Sequence, residues 1–124
     1  MTIAEAISRV DSLKPNQYPL EDKVYWLSQL DGQIYEEIIK KHENSPISEF
    51  TGYNNETDTN TQELLVTAPY DDIYPLWLEA RIDYSNAEYG KYNNSTTMFN
   101  VAYSNFANYY NRTHMPITGK IKYF

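Results

Sequence analysis

Apolar residues between positions 71 and 113 recur at the spacing of amphipathic helices. The second half of this stretch places five of them on one helical stripe: Phe99, Ala102, Tyr103, Phe106 and Tyr110. The first half does the same with Ile73, Trp77, Ala80, Tyr84 and Ala87. The polar sequence Asn93-Asn94-Ser95 stands between them. The pattern therefore predicts a long antiparallel α-hairpin that reverses tightly at these three residues.

Two more helices are predicted nearer the N-terminus. The first covers residues 2–13, because Thr2 and Glu5 have the spacing of a capping box and Lys14-Pro15 disfavours the α conformation that would continue it. The second covers residues 20–42, with acidic residues near its start, basic residues at its end, and an apolar face consisting of Leu27, Leu30, Ile34 and Ile38.

The third helix, the first of the hairpin, is predicted to begin at Asp71 or Asp72. Either aspartate is a good N-cap, and this start leaves Pro75 in the first turn, where a helix tolerates proline. An earlier start would place Pro75 in the helix interior at a cost of about 3 kcal/mol.

The helical period disappears between residues 44 and 67. Pro46, Gly52 and a polar run punctuate this segment, and its flanks at 47–53 and 63–67 favour a short, irregular β-hairpin. A connection of this length in a compact domain is usually functional or disordered. We interpret it as a protruding arm.

The C-terminal segment, residues 117–124, alternates apolar and basic residues with the period of a β-strand. Two interpretations stay open for it: a strand that adds to the sheet edge of another chain, or a frayed end. The whole pattern predicts a mainly α fold: a single four-helix bundle-like domain over residues 1–116, with the arm between helices two and three and an extended tail.

Composition narrows the class of protein. The 124 residues fit one domain, and the chain has no cysteine for disulfide or thiolate chemistry. No apolar run is long enough to cross a membrane, so we expect a soluble protein with no membrane partner. Ten basic residues against seventeen acidic ones give a net charge of −7, which argues against ordinary duplex binding. The net charge remains compatible with a surface past which DNA moves without binding.

Motifs that carry chemistry are largely missing. His42 and His114 each lie at a predicted helix end, where we interpret them as surface residues matching the helix dipole. The spacing Asp58-x-Asn60-x-Gln62 resembles a calcium loop only weakly, because the glycine and the closing glutamate are missing. No nucleophile elbow, P-loop or dinucleotide-binding glycine motif occurs. We therefore expect no enzyme, no cofactor and no bound metal.

Thirteen tyrosines and two tryptophans are many for this length. They either cap the edges of a small core or lie on surfaces that become buried on association, for which tyrosine is well suited. Five aromatic side chains fall off or at the margin of the apolar stripes and are our candidates for an oligomer interface: Trp26, Tyr35, Tyr89, Tyr92 and Tyr109.

Whole segments of the chain resemble a known family. These are MTIAEAISRVDSLKPNQY, DKVYWLSQLDGQIYEEII, ELLVTAPYDDIYPLWLEARIDY and YNNSTTMFNVAYSNFANYYNRTHMP. In their order they resemble the small head-to-tail connector (adaptor) proteins of long-tailed phages and prophages of Gram-positive bacteria. The resemblance covers about residues 1 to 116, and Pro75 and the tail depart from it.

The resemblance implies a non-enzymatic virion protein that assembles as a ring, commonly twelve-fold, beneath the portal protein. Such a ring extends the DNA channel and presents a platform for the next connector or the tail. It would be made in the host cytoplasm and reside at the head-to-tail interface. On this interpretation Glu56 and Asp58 of the arm are candidates for facing the channel and repelling DNA phosphates; the alternative is that they belong to a solvated loop. The tail docks on the portal through four residues, Ile117, Ile121, Tyr123 and Phe124.

A second function of a different class also fits the charge and the lack of catalytic motifs. An acidic helical inhibitor would mimic DNA and occupy a host nuclease or repressor. Such a protein needs carboxylates spaced like phosphates along one continuous face, whereas the acidic residues here are spread over several predicted elements.

Overall fold

The computed structural model describes residues 1–42 and 48–115, and over these residues the protein is mainly helical. Four α-helices follow one another: α1 (Ile3–Leu13), α2 (Leu20–Glu37), α3 (Ile73–Ser85) and α4 (Tyr89–Thr113). A short 3₁₀ helix, Ile39–Lys41, follows α2. The predicted helical fold class is confirmed.

The first helix begins as its sequence predicts. The Thr2 hydroxyl accepts a hydrogen bond from the Glu5 amide, and the Glu5 carboxylate accepts one from the Thr2 amide at 2.9 Å. The bond from the Thr2 amide lowers the pKa of Glu5, because it stabilises the ionised carboxylate. The capping box thus provides hydrogen-bond acceptors for two backbone amides that have no partner within the helix.

The second helix is shorter than predicted. It ends at Glu37 rather than near residue 42, because Ile38 leaves the α region with φ −122° and ψ −64°. Ile38 and Ile39, where the chain enters the 3₁₀ helix, are both buried.

The hairpin of α3 and α4 is present, but its reversal lies elsewhere than predicted. The third helix starts after Asp72, with Pro75 in its first turn as expected, and ends at Ser85. The chain then turns through Ala87, which adopts a positive φ of 59°. The predicted turn, Asn93-Asn94-Ser95, lies inside α4. The first predicted stripe also stops early, since Tyr84 is half-exposed and Ala87 lies in the turn.

The core is centred on α3, which contacts each of the other three helices. Ile73, Leu78 and Ile82 of α3 have no exposed surface. The two helices of the hairpin run antiparallel. Trp77, near the middle of α3, packs on Phe99 with ring centroids 5.1 Å apart, whereas Asp83, near the end of α3, accepts a hydrogen bond from Ser95, which is earlier in α4. The other apolar residues enclosed in this core include Ile3, Val10, Leu27, Leu30, Ile34, Leu64, Val66 and Phe106.

The segment between α2 and α3 packs against the helices where it is described. Leu64 and Val66 are buried, and Glu63 forms an isolated antiparallel bridge with Thr2. The predicted β-hairpin is therefore wrong for residues 48–67, which form no strand. Hydrogen bonds to helix side chains, described below, take the place of strand pairing. Residue 47 and the tail at 117–124 lie outside the described residues.

Candidate functional site

Two of the five predicted interface aromatics belong to the core of the single chain. Trp26 is 8% exposed, and Tyr35 is 6% exposed, with its hydroxyl donating to the Ser48 carbonyl at 2.6 Å. The Trp26 ring lies edge-on to Tyr18 at 5.7 Å. Their assignment to an oligomer interface is thus wrong. Residues outside α2 cover both side chains, and the helical periodicity of the sequence cannot predict such contacts.

The other three aromatics remain accessible to different degrees. Tyr89 is 58% exposed, and Tyr92 is half-buried against Tyr84 with ring centroids 5.2 Å apart. Tyr109 is half-buried and stacks on Tyr70 at 4.6 Å. Tyr89 and Tyr92 therefore remain candidates for a contact surface at the turn of the hairpin.

These two tyrosines belong to a group that we call the hairpin-tip cluster, consisting of Arg81, Tyr84, Tyr89 and Tyr92. The Arg81 guanidinium lies 5.2 Å from the centre of the Tyr84 ring, and Tyr84 lies edge-on to Tyr89 at 6.1 Å. Tyrosine and arginine are the residue types that carry most of the binding energy at protein interfaces. The cluster offers a partly exposed aromatic surface that includes the Arg81 cation.

Glu56 and Asp58 are exposed on the segment between α2 and α3. The Asp58 carboxylate accepts a hydrogen bond from the Asn60 amide at 3.0 Å, and the Asn54 side chain accepts one from the Glu56 amide at 2.8 Å. Both are local turn bonds of the kind that Asn and Asp make readily. Residues 1–42 and 48–115 contain no acidic or histidine cluster that could hold a metal ion.

The predicted docking residues of the tail, Ile117, Ile121, Tyr123 and Phe124, lie outside the described residues. The prediction that they bind a portal protein accordingly stays a prediction.

A buried carboxylate that the sequence interpretation missed joins three parts of the fold. Asp31 of α2 has no exposed surface. Its Oδ2 accepts hydrogen bonds from the Tyr53 hydroxyl at 2.6 Å and the Leu65 amide at 3.1 Å. Its Oδ1 accepts one from the Tyr74 hydroxyl at 2.6 Å. The same Tyr74 oxygen accepts from the Val66 amide at 2.8 Å. We call this group the Asp31 network.

Burial sets the titration behaviour of the Asp31 network. Burial raises the pKa of Asp31 above its ordinary value, although hydrogen bonds from Tyr53, Tyr74 and Leu65 oppose that rise. Burial and the neighbouring carboxylate also raise the pKa of Tyr53 and of Tyr74. Both hydroxyls therefore stay protonated and keep donating to Asp31.

The sequence did hold a signal for this network. Asp31 follows Leu30 and lies between Leu27 and Ile34 on the apolar face of α2. An acidic residue within such a face is either paired or costly, because an unpaired buried charge loses its hydration. The partners, however, come from residues 22 to 43 positions away, and no local pattern points to them.

A second buried carboxylate joins α1 to the hairpin. Asp83 has no exposed surface and accepts hydrogen bonds from the Lys14 ammonium at 2.6 Å and from the Ser95 hydroxyl at 2.8 Å. This contact explains why residue 95 lies within α4 instead of in a turn. Ser95 faces inward and binds a residue of the preceding helix.

His42 is buried, which corrects its predicted place on the surface. Its Nδ1 lies 2.6 Å from the Ile38 carbonyl, and its Nε2 lies 2.9 Å from the Asn111 side-chain oxygen. Tyr110 packs edge-on against the imidazole at 4.9 Å and also stacks on His114 at 3.7 Å. The histidine thus ties the 3₁₀ helix to the C-terminal end of α4.

The two buried carboxylates stabilise contacts between separate elements of the fold. Asp31 and Asp83 have no solvent-exposed surface, so neither carboxylate reaches a substrate in this conformation. Each binds donors from at least two separate elements and fixes their relative positions. The accessible features are instead the hairpin-tip cluster, the acidic turns at Glu56 and Asp58, and the outer face of α4.

None of the helices in the described ranges is both long and apolar enough to span a lipid bilayer. Comparison of the chain with protein-family models, with curated proteins and with solved structures finds no match.

Proposed function

We propose that this chain is a structural subunit of a phage head-to-tail connector. In this role, copies of the chain assemble as a ring, dock beneath the portal protein, extend the DNA channel and present a platform for the tail. The observation that carries the proposal is the resemblance of four successive segments, covering about residues 1 to 116, to connector proteins of long-tailed phages.

The helical architecture supports this proposal. Connector subunits are expected to be mostly helical, and the described residues consist mainly of α1 to α4. A ring subunit also needs surfaces that a neighbour can cover, and the hairpin-tip cluster leaves Tyr84 49% exposed and Tyr89 58% exposed. Such side chains gain little from packing until a partner buries them.

The placement of the acidic residues supports a connector subunit over a DNA-mimicking inhibitor. Two of the carboxylates, Asp31 and Asp83, are enclosed and serve the fold. Others are held by lysines, since Asp11 binds Lys23 at 2.9 Å. Within residues 1–42 and 48–115 the other exposed acids are spread over α1, α2 and the segment between α2 and α3, whereas an inhibitor imitating DNA phosphates would need them along one continuous face.

The proposed role assigns the exposed acids Glu56 and Asp58 to the channel. Their negative charge would repel DNA phosphates and limit sticking during passage. Cryo-electron microscopy of the assembled connector tests this point directly. Glu56 and Asp58 on the outer rim of the ring would refute the assignment.

The central test is binding to the portal protein of the phage or prophage that encodes the chain. We expect a stoichiometric ring on the portal, seen by size-exclusion chromatography with light scattering. Replacing Tyr89 and Tyr92 by serine is expected to weaken this assembly. Tyr25→Ser is the matched control, because Tyr25 of α2 is equally exposed, at 59%, and lies outside the hairpin tip.

Two outcomes would contradict the proposal. The first is a chain that never binds the portal and is missing from purified virions. The second concerns only the hairpin tip: equal assembly of the Tyr89/Tyr92 double variant and the Tyr25 control would remove the cluster from the interface. Deleting residues 117–124 is expected to abolish docking while the circular dichroism of the helical domain stays unchanged.

A further inference from the structure

The longest helix, α4, carries an unusually long stretch without charge. No charged residue occurs between Lys91 and Arg112, although 22% of the whole chain is charged. Solvent-facing helix positions are normally occupied by charged residues, which favour hydration and solubility. The absence of charge along this helix therefore calls for a physical explanation.

Ten side chains of this stretch are exposed, and six of them lie together on one helical stripe. They recur at spacings of three and four residues, and we call this set the α4 stripe: Asn94, Thr97, Met98, Val101, Asn105 and Asn108. Met98 is 51% exposed and Val101 58% exposed. The buried side of the same helix, with Phe99 and Phe106, packs on α3 and the residues just before it. The stripe faces away from this contact.

An open groove of about 500 Å³ runs beside the α4 stripe. Met98, Val101 and Ala102 line it from α4, and Pro69, Tyr70 and Leu76 are among the residues on its other side. Apolar surface therefore continues from the helix into the groove, where Asp72 is the one charged residue of the lining. We treat the stripe and the groove as one surface.

We infer that the α4 stripe and the adjoining groove form the contact surface for a second copy of this chain. The inference deepens the proposed function, on which it rests for the ring, by naming the lateral contact between neighbouring subunits. A ring contact joins two different surfaces of the subunit; the inference assigns one of them to the stripe and the groove, and the hairpin-tip tyrosines stay the candidate for the other.

The charge distribution argues for a second copy as the occupant. Two copies each carrying a net charge of −7 repel one another, and like charges placed opposite each other at an interface are costly. Along the α4 stripe itself no such pair can form, because none of its side chains is charged; Asp72 in the groove wall is the one acidic side chain of the surface. A neighbour of the same sequence can therefore approach here with the least electrostatic penalty.

The composition and size of the surface fit a protein contact. Interface cores are depleted of Lys, Glu and Asp, and the stripe contains none of these residues. The stripe spans about 22 Å along the helix. Standard interfaces take about 800 Å² from each partner, so the groove walls at Tyr70 and Leu76 must take part in the contact. Nucleic acid is a poor occupant, because phosphates require basic residues that the stripe lacks.

The test compares two variants that add the same charge to neighbouring positions of α4. Val101→Glu places a carboxylate in the middle of the stripe. Asn100→Glu is the matched control, since Asn100 is exposed on the same helix but lies outside the stripe. Sedimentation velocity of each chain alone, at physiological salt and over a wide concentration range, measures self-association. Circular dichroism confirms that both variants stay helical.

We expect the wild-type chain and Asn100→Glu to associate alike, and Val101→Glu to associate at least about tenfold more weakly. Equal association of the two variants would overturn the inference, as would a wild-type chain that stays monomeric throughout. Portal binding is measured separately on the same three proteins. Self-association through the stripe without portal binding would support this inference and refute the proposed function. Portal binding by a chain that is monomeric when free would support the proposed function and refute this inference.

Discussion

Removing a single hydroxyl from the Asp31 network is expected to destabilise the fold strongly. In Tyr74→Phe the hydroxyl that donates to Asp31 and accepts from the Val66 amide is lost, at a position with no exposed surface. The variant therefore leaves a buried amide without an acceptor and a buried carboxylate with one donor fewer. The ring itself still fills the same space.

The magnitude follows from those two losses. A hydrogen bond to a charged group contributes about 1.5–3 kcal/mol, and a buried amide left without a partner costs about 1–3 kcal/mol. We expect Tyr74→Phe to lower the free energy of unfolding by about 3–5 kcal/mol, which is a large part of the total stability of a small domain.

Tyr53→Phe is the matched control, because it removes a hydroxyl that donates to the same carboxylate. Tyr53 is only half-buried and its hydroxyl accepts no backbone amide, so water can take its place. The expected loss is about 1–2 kcal/mol. Urea unfolding, followed by the fluorescence of Trp26 and Trp77, measures both variants. Losses that agree within about 0.5 kcal/mol would refute the argument that the double role of Tyr74 matters.

The same network makes a prediction about pH. Burial raises the pKa of Asp31 above its ordinary 3.8, so the folded protein holds this proton more tightly than the unfolded chain. The contribution of Asp31 to stability is therefore complete below pH 3.8 and declines as the pH rises through the folded pKa. As the pH rises from 3.8 through the folded pKa of Asp31, the free energy of unfolding of the wild type should fall relative to that of Asp31→Asn. A relative stability that rises with pH would mean that the three donors outweigh burial.

Further variants test the other structural assignments by thermal and urea unfolding. Lys14→Met leaves the buried Asp83 without its cation and should lower the free energy of unfolding by about 2–3 kcal/mol. Lys40→Met breaks only the exposed pair with Glu36 and should change that free energy by less than about 0.5 kcal/mol. Effects of similar size in the two variants would contradict this ranking. Gly52 has a φ of 87°, and a Cβ there would lie 3.0 Å from the Ser28 hydroxyl, so Gly52→Ala should cost about 1–2 kcal/mol. Thr2→Ala should cost about 1 kcal/mol by opening the capping box, and an unchanged melting temperature would count against that cap.

Local chemistry in the sequence determined where two helices begin. Thr2 and Glu5 lie three residues apart and close the cap of α1 without help from the rest of the chain. The position of Pro75 likewise fixed the start of α3, because proline is tolerated only in the first turn of a helix. The apolar stripe of α4 correctly marked Phe99, Phe106 and Tyr110 as buried. Signals of this kind act within one or two turns of the chain.

The same local signals misplaced the reversal of the hairpin. Asn93-Asn94-Ser95 has the composition of a turn, but helix propensities are weak and Ser95 gains a hydrogen bond to the buried Asp83. The actual turn at Ala87 contains no glycine and adopts a conformation that alanine rarely takes. Packing between α3 and α4 thus decided a boundary that local propensity assigned elsewhere.

Tertiary structure alone decided which polar and aromatic residues are enclosed. Trp26, Tyr35 and His42 seemed to be surface residues because the segments that cover them, or the side chains that bind them, lie outside their own helix stripe. Asp31 gained its role only when Tyr53 and Tyr74 reached it from other elements. The sequence therefore determined the helices and their apolar faces, whose causes lie within a few residues. Burial and hydrogen-bond partners depended on contacts between segments far apart in the chain, which exist only once it has folded.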